Sequence, residues 1–310
     1  MTRQNFTIQG VIPALVTPFG SDDEVDEAAL YRLATRAVRR GVAGLVVCGS
    51  TGEAAAMSAE EQARAIDTVV QAAGGRVPVI AGIGAPCTRG AAVLARSAER
   101  CGAAALLVAS PPYVRPGQDG VQAHLRAVAA SSGLPLILYD VPSRVGVGIA
   151  DETVARLRSD GVIAAFKDAS GDLARVPRLR ALCGGDFPQL SGDDATALAH
   201  LAMGGVGCIS VTANLVPELL VAQHEAWTRG EFRAAAALRD RLAPLHDALF
   251  AESNPVPVKA ALALLGLCDA TPRLPLTRAS RATEGRLAAL LRDNFPEVEE
   301  VRATRPSLVA

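Results

Sequence analysis

Lysine is almost absent from this sequence. Of the 31 basic residues only Lys167 and Lys259 are lysines, and the other 29 are arginines, so any chemistry that needs a side-chain amine has two candidates. The 32 acidic residues leave a formal net charge of −1, and the basic residues form no long run. The electrostatic footprint of a nucleic-acid-binding protein is therefore missing, and nucleic acids are not expected partners.

Long hydrophobic runs are also missing. Half of the residues are hydrophobic, but Gly, Pro or charged residues interrupt the apolar stretches, and none approaches the about 20 residues that a transmembrane helix needs. The first ten residues, MTRQNFTIQG, lack the basic start, apolar middle and small-residue cleavage site of a secretory signal. We therefore expect a cytoplasmic protein that does not associate with membranes.

The cysteines show no CxxC spacing. They are scattered, mostly inside apolar segments, which favours reduced thiols over disulfides or a metal cage. We therefore expect neither a zinc site nor a disulfide framework. The six cysteines are Cys48, Cys87, Cys101, Cys183, Cys208 and Cys268.

Short apolar segments alternate with longer amphipathic ones along the first two thirds of the chain. The alternation begins with a predicted strand at Gly10–Phe19 and a predicted helix at Asp26–Arg40, and it predicts a parallel sheet. Ser58, with Glu61 three residues later, predicts the start of the next helix. The eight predicted strands span residues 10–19, 44–50, 78–84, 104–110, 135–141, 162–169, 189–192 and 207–212.

Eight strand–helix cycles in about 225 residues match the size of a closed (β/α)8 barrel, whereas an open doubly wound sheet usually has fewer strands. Only helical periodicity follows the eighth strand. We therefore predict an α/β fold, with a TIM barrel over residues 1–225 that carries the active site and a C-terminal helical domain over residues 226–310. From Pro296 onwards no apolar face is present, and we expect a loosely held tail.

Lys167 lies at the end of an apolar strand, where barrel enzymes place their active-site residues. The preceding segment VIAAF, residues 162–166, would carry the ammonium group into the barrel, and burying that charge costs several kcal/mol. Desolvation disfavours the charged form of a lysine and frees the amine to attack a carbonyl carbon. The alternative is a buried lysine paired with Asp168 or another carboxylate. For Lys259, which starts a helix outside the barrel, we expect an exposed or structural role.

Other predicted strands also end in polar residues. Tyr139 could transfer protons next to a lysine imine, or it could be a core ring with a satisfied hydroxyl. The turn Gly49–Gly52 offers hydroxyl and N–H groups to a carboxylate, although many Gly-rich turns have only a geometric role. Arg144 has the fork geometry that suits a second carboxylate, but it could equally be one of many solvated arginines. A further tyrosine, Tyr113, follows the fourth strand.

Three motifs of the chain resemble the dihydrodipicolinate synthase / N-acetylneuraminate lyase family: GSTGE at 49–53, YDVPSRVG at 139–146 and FKDASG at 166–171. The resemblance extends to VTPF at 16–19, SGDD at 191–194, ISVTAN at 209–214 and NPVPVK at 254–259, and so covers nearly the whole chain in order. It implies a (β/α)8 barrel with a C-terminal helical domain, usually in a homotetramer. It also implies a class I aldolase-type lyase that needs no metal and no cofactor beyond a covalent imine with pyruvate.

The resemblance implies a role for each catalytic candidate. Lys167 would form the Schiff base with pyruvate. Tyr139 would be the proton shuttle, relayed through the Ser50 hydroxyl and through Tyr113, which in the family reaches in from the neighbouring subunit. Ser50 and Thr51 would hold the pyruvate carboxylate.

The resemblance also points to a second substrate. Gly192 and Ile209 would line the same pocket as the lysine, and Arg144 stands where the synthase branch of the family binds the carboxylate of aspartate semialdehyde. The motif at 254–259 is also more similar to that branch than to sialic acid lyases. We therefore expect condensation of pyruvate with L-aspartate semialdehyde to hydroxytetrahydrodipicolinate, a precursor in lysine and diaminopimelate biosynthesis.

Other functions remain open at this point. Ser50 stands where the synthase branch often has Thr and sialic acid lyases have Ser, and family members also act on N-acetylneuraminate, keto-deoxy sugar acids or aromatic aldehydes. A non-catalytic pyruvate-binding protein is disfavoured because the lysine, both tyrosines and the hydroxyl are all present. A phosphate-binding barrel would need a glycine cradle near strands seven and eight, but we interpret Gly204–Gly207 as a turn on the opposite face of the barrel.

The resemblance further bears on feedback by lysine. Synthases that lysine inhibits line a subunit-interface cleft with His, Asn, Glu and Tyr, whereas the side chains at the aligned positions here offer little to the amine of a lysine ligand. We therefore predict an enzyme insensitive to lysine, and half-inhibition by lysine below the millimolar range would contradict this. The aligned residues are Ala59, Gln62, Pro86, Gly90 and Pro112.

Overall fold

Eight parallel strands form the centre of the molecule. The computed structural model describes residues 8–296 and residue 298, and its sheet has the order β1-β8-β7-β6-β5-β4-β3-β2. Every strand lies within the segment predicted for it. The strands are β1 Gly10–Pro13, β2 Leu45–Val47, β3 Val79–Ile83, β4 Ala105–Ala109, β5 Leu136–Asp140, β6 Ala165–Asp168, β7 Gln189–Ser191 and β8 Gly207–Ser210.

The two end strands of this order, β1 and β2, meet and close the barrel. A parallel bridge joins Ala14 to Val46, and the N–H of Leu15 donates to the carbonyl of Val46 over 2.9 Å. The predicted TIM barrel is therefore confirmed.

Successive side chains of a strand point to opposite faces, and β6 shows what this does for the site. Ala165 packs inside the barrel, whereas Phe166 points outwards into the core between strands and helices. Lys167 consequently points inwards and Asp168 outwards. The apolar interior of the barrel includes Ile12, Val46, Ile80, Leu107, Ile137, Leu190 and Ile209.

Helices connect the strands and cover the barrel. Helix α1 (Glu27–Arg39) begins after Asp26, whose carboxylate accepts a hydrogen bond from the N–H of Ala29. Helix α2 (Ala59–Ala73) begins with the predicted capping box of Ser58 and Glu61. The remaining helices of the barrel are α3 Thr88–Arg100, α4 Gln118–Ala130, α5 Pro142–Val145, α6 Asp151–Ser159, α7 Arg175–Cys183 and α8 Ala197–Ala202.

In the part of the chain that the structure describes, four further helices follow β8: α9 Pro217–Thr228, α10 Phe232–Leu249, α11 Val256–Leu264 and α12 Arg281–Asn294. Their apolar faces form a core that also includes Val11, Val16 and Leu33 of the barrel, so these helices are packed against it. The predicted domain boundary at residue 225 falls within α9 and stays a prediction. The tail predicted from Pro296 lies outside the described residues, except for Pro296 and Val298. Within the described part of the chain no helix could cross a membrane.

Candidate active site

A cavity of about 1240 Å³ opens where the carboxyl ends of the strands meet. In barrels of this type that end carries the chemistry. Seven of the eight residues predicted for the site line this cavity, and Tyr113 is the exception. The seven are Ser50, Thr51, Tyr139, Arg144, Lys167, Gly192 and Ile209.

Lys167 and Tyr139 are neighbours across the β5–β6 pair. The Nζ of Lys167 lies 4.0 Å from the centroid of the Tyr139 ring, and the lysine is only 6% exposed. Among the described residues, no carboxylate lies within the 4.0 Å of an ion pair with this amine. Asp168 instead points towards Arg175, 3.7 Å away. The alternative of a lysine paired with Asp168 is therefore not what the structure contains.

Because Gly192 has no side chain, it leaves space for the side chain of Lys167. The N–H of Gly192 donates to the carbonyl of Asp168 over 2.6 Å, which brings the end of β7 against β6. A Cβ atom at position 192 would lie 2.9 Å from Ala169 Cβ and 3.1 Å from Lys167 Cε. Any side chain here would crowd the Lys167 side chain and the neighbouring end of β6.

The turn at residues 49–52 is held from two sides. Its base is fixed by Thr17, whose hydroxyl donates to the carbonyl of Gly52 over 2.7 Å. Thr51 is buried, and its Oγ1 accepts a hydrogen bond of 3.0 Å from Asn254 Nδ2. The neighbouring Ser50 side chain is exposed to the cavity. Because the Thr51 oxygen is used as an acceptor, its proton is free to point towards an anion.

Arg144 lies on the short helix α5 and reaches the C-terminal helical region. Its Nη2 donates to the main-chain carbonyl of Asn254 over 3.0 Å. Asn254 thus touches two of the three residues that were predicted to hold carboxylates, Arg144 through its backbone and Thr51 through its side chain. Sequence reasoning placed Asn254 in a family motif but gave it no role. The 110 residues between it and Arg144 explain why no local pattern could do so.

Lys259 occupies a very different environment from Lys167. It is completely buried, and its Nζ donates to Glu53 Oε1 over 2.8 Å and to the carbonyl of Thr17 over 3.0 Å. Burial lowers the pKa of Lys259, and the nearby Glu53 carboxylate opposes that shift. Of the two roles expected from the sequence, exposure is wrong, and the contacts are those of a structural ion pair. The sequence did not reveal that Lys259 is buried, because its partner Glu53 lies 206 positions away.

Tyr113 is not brought to the cavity by its own chain. It lies after β4, is 94% exposed and has a φ of 72°. Such a backbone conformation costs a non-glycine residue about 1–2 kcal/mol. Within this chain Tyr113 is thus separated from Lys167, and its predicted part in the proton relay depends on a neighbouring subunit.

Two further expectations concern ligands. Among the described residues, no group of three or more His, Cys, Asp or Glu side chains could hold a metal ion. The glycines at 204–207 lead from α8 into the first residue of β8, at the amino end of the strand and away from the cavity. They form the turn that was predicted rather than a phosphate cradle beside the lysine.

A buried amine at the end of a barrel strand, with a phenol ring against it and hydroxyl and guanidinium groups in the same cavity, is an arrangement that suits Schiff-base chemistry in a (β/α)8 enzyme. Comparison with known proteins narrows this class. The model of the dihydrodipicolinate synthetase family matches residues 7–294. The chain belongs to this family.

The similarity extends to curated relatives and to solved structures. The chain is 48% identical over 284 residues to the 4-hydroxy-tetrahydrodipicolinate synthase of Hyphomonas neptunium, covering 91% of this chain and 97% of the relative. It is 46% identical over 282 residues to the enzyme of the same name from Acidiphilium cryptum, with the same coverage. Among solved structures, the chloride-inhibited dihydrodipicolinate synthase of Acinetobacter baumannii, complexed with pyruvate, is 40% identical in sequence and has a TM-score of 0.90. The match covers 93% of this chain and 99% of that one.

Proposed function

We propose that this protein is a 4-hydroxy-tetrahydrodipicolinate synthase, which condenses pyruvate with L-aspartate semialdehyde in lysine biosynthesis. The observation that carries the proposal is the buried Lys167 amine, 4.0 Å from the Tyr139 ring, in a cavity that is also lined by Ser50, Thr51 and Arg144. The names of the curated relatives support this activity. The pyruvate complex of the Acinetobacter baumannii enzyme supports the first substrate.

The first step is formation of the imine. The neutral amine of Lys167 attacks C2 of pyruvate, the keto oxygen leaves as water, and a C=N bond links enzyme and substrate. Ser50 and Thr51 face the cavity at the correct end of the barrel to bind the pyruvate carboxylate. Their hydroxyls and the N–H groups of the turn would hold C2 within reach of the amine, which lowers the entropic cost of attack. No resident metal or organic cofactor takes part.

The second step makes and uses a carbon nucleophile. Loss of a proton from C3 of the imine gives an enamine, which attacks the aldehyde carbon of the second substrate and forms the new C–C bond. The aldehyde oxygen takes up a proton and becomes the hydroxyl of the product. The Tyr139 ring lies 4.0 Å from the Lys167 amine, and its phenol would carry these protons, with Ser50 and the Tyr113 of a neighbouring subunit completing the relay.

The last step releases the product. The amino group of the condensed chain attacks the imine carbon, a cyclic imine forms, and Lys167 leaves as a free amine. Overall, the two substrates give the cyclic product and one molecule of water, which is the water lost in the first step. Arg144 supports aspartate semialdehyde as the second substrate, because its guanidinium lines the cavity and suits a carboxylate. Aldehydes without a carboxylate would leave this charge unpaired.

The proposed assembly is a homotetramer built as a dimer of dimers. Tyr113 and the adjacent Val114 are 94% and 59% exposed, which is consistent with a surface that a second copy covers. We also propose that the enzyme acts in the cytoplasm. All six cysteines are unpaired, which suits a reducing compartment.

The activity is tested with purified protein, pyruvate and aspartate semialdehyde, coupled to the reductase that consumes the product and followed by loss of reduced nicotinamide. We expect turnover that requires both substrates and disappears in Lys167→Ala. Trapping of pyruvate without turnover of this aldehyde would contradict the proposed second substrate and lead to a screen of other aldehydes. Absence of both trapping and turnover would overturn the proposal altogether.

A further inference from the structure

A buried cluster of charges lies directly behind the two strands that carry Lys167 and Tyr139. Because side chains alternate along a strand, the residues that follow these two, Asp168 and Asp140, point out of the barrel, and they are register neighbours. Their carboxylates are 5% and 2% exposed. Two like charges side by side in a dry environment repel each other unless a cation compensates them.

Arg175, on helix α7, supplies that cation. Its Nη1 lies 2.6 Å from Asp140 Oδ2 and 3.7 Å from Asp168 Oδ1. Its Nε lies 2.7 Å from Asp151 Oδ1 at the start of α6, and the guanidinium lies over the ring of Phe166 at 4.8 Å. The arginine is itself only 4% exposed. One planar fork thus holds groups from β5, β6 and α6 together.

The same guanidinium also fixes the connection that carries Arg144. Its Nη2 donates to the main-chain carbonyl of Ile149, and the N–H of Ile149 donates to Asp140 Oδ2 over 3.1 Å. The segment between β5 and α6 is therefore closed back onto β5, with Arg144 in the part that faces the cavity. The guanidinium of Arg175 thus connects the ends of β5 and β6, which carry Tyr139 and Lys167, with the segment that carries Arg144.

We propose that Arg175 is a positioning residue of this active site. It acts through Asp140, Asp168 and the Ile149 carbonyl, and it touches no substrate. The inference rests on the proposed Schiff-base function. Two consequences follow from its chemistry: its fork geometry keeps β5 and β6 in the register that places Lys167 over Tyr139, and its charge offsets the carboxylates behind the lysine.

The neighbouring charged and titratable groups determine the direction in which loss of Arg175 would shift the pH profile. Besides the three aspartates, Arg178 lies on the same helix and pairs with Asp151 and Asp172 at the surface. His200 on α8 is also close to this cluster: burial lowers the pKa of His200, and the charge of Asp168 opposes that shift. Burial likewise raises the pKa of Asp140, with Arg175 opposing the shift. Loss of the Arg175 charge would remove this opposition and raise the pKa of Asp140 further, so that the carboxyl behind the site would take up its proton at a higher pH.

Substitutions separate geometry from charge. Arg175→Lys keeps the charge but loses the fork, so we expect kcat per active site to fall at least tenfold, KM for the aldehyde to rise, and the acid limb of the pH profile to stay in place. Arg175→Gln removes the charge as well, and the acid limb should move to higher pH by about one pH unit. Active sites are counted by the fraction of protein that borohydride labels with pyruvate.

Two further variants complete the test. Asp140→Asn in the Arg175→Gln background removes one carboxylate charge, and it should return the acid limb towards its original pH. Arg178→Ala is the matched control, since it removes a 49%-exposed arginine from the same helix and should leave kcat, KM and the pH profile unchanged. If Arg175→Gln does not fold, Arg175→Lys and Asp140→Asn alone still measure geometry and charge.

The outcomes distinguish this inference from the proposed function. Arg175 variants that keep the kcat per labelled site and the pH profile of Arg178→Ala would overturn the positioning role, even if their thermal stability falls. Failure of the unmodified protein to become labelled by pyruvate would instead overturn the Schiff-base function itself.

Discussion

The two lysines of this chain show how the surroundings of one residue decide its chemistry. Lys259 is held by the Glu53 carboxylate at 2.8 Å, an arrangement that stabilises the ammonium form. Lys167 faces the Tyr139 ring and has no carboxylate partner among the described residues. Only Lys167 also lines the cavity, where a carbonyl substrate can reach its amine.

At the scale of single residues, Gly192→Ala tests how closely the lysine is packed. The added Cβ would lie 2.9 Å from Ala169 Cβ and 3.1 Å from Lys167 Cε, so the amine must shift. We expect kcat to fall by about threefold to tenfold, because a shift of the reacting amine by a few tenths of an ångström already disturbs its alignment with the substrate. Steady-state kinetics measure the effect. Gly84→Ala is the control, since Gly84 also lines the cavity but its Cβ would meet no atom within 4 Å, and equal activity of the two variants would contradict this explanation.

At the scale of elements, Asn254, just before α11, supports the two loops that carry Thr51 and Arg144. Asn254→Ala removes the donor to Thr51 Oγ1 but keeps the main-chain carbonyl that Arg144 contacts. The loss of about 1–1.5 kcal/mol for one hydrogen bond predicts a KM for pyruvate that is raised about tenfold. The KM for the aldehyde should stay the same and serves as the internal control. An equal rise of both KM values would point to general loosening of the site and contradict the separate roles.

Local patterns predicted most of the elements but few of the contacts between them. The capping box of α2 lies within four residues, and the strand segments have their own apolar composition, so both could be read locally. Helix α5 was missed because its four residues, PSRV, are too short for a periodic signal. Tertiary contacts such as those of Asn254 with Thr51 and Arg144 depend on residues 203 and 110 positions away. Lys167 was predictable because a single cation in an apolar strand is itself unusual.

At the scale of the whole molecule, Tyr113 tests whether subunits share their sites. We expect Tyr113→Phe and Lys167→Ala each to abolish most of the activity. Mixing the two variants under conditions that allow subunit exchange should restore activity, because one site of each mixed pair then has both Lys167 and Tyr113. Sedimentation of the mixture confirms that assemblies form. Assembly without any recovery would contradict the shared site.

The buried histidines predict how the stability of the whole fold depends on pH. Burial lowers the pKa of His124, His200 and His246. Below about pH 6.5 the unfolded chain therefore takes up protons that the folded state does not, and the free energy of unfolding falls by up to about 1.4 kcal/mol per histidine per pH unit. Above about pH 6.5 these groups contribute no slope.

Urea unfolding at about pH 7.5 and about pH 5.5 measures this dependence. The fall in the free energy of unfolding between the two pH values should be smaller in His200→Met. This variant removes one protonation site, whose ring nitrogens have no hydrogen-bond partner within the described residues. A free energy of unfolding that is the same at both pH values, or a slope that this variant does not change, would contradict the assignment.

The most direct test of the account is to map the lysine that carries pyruvate. The protein is incubated with pyruvate, reduced with borohydride and digested, and the labelled peptide is identified by mass spectrometry. With only two lysines in the chain, the result is unambiguous. Labelling of Lys167 alone, dependent on pyruvate, is the predicted result. Labelling of Lys259, or no pyruvate-dependent label at all, would contradict the central claim.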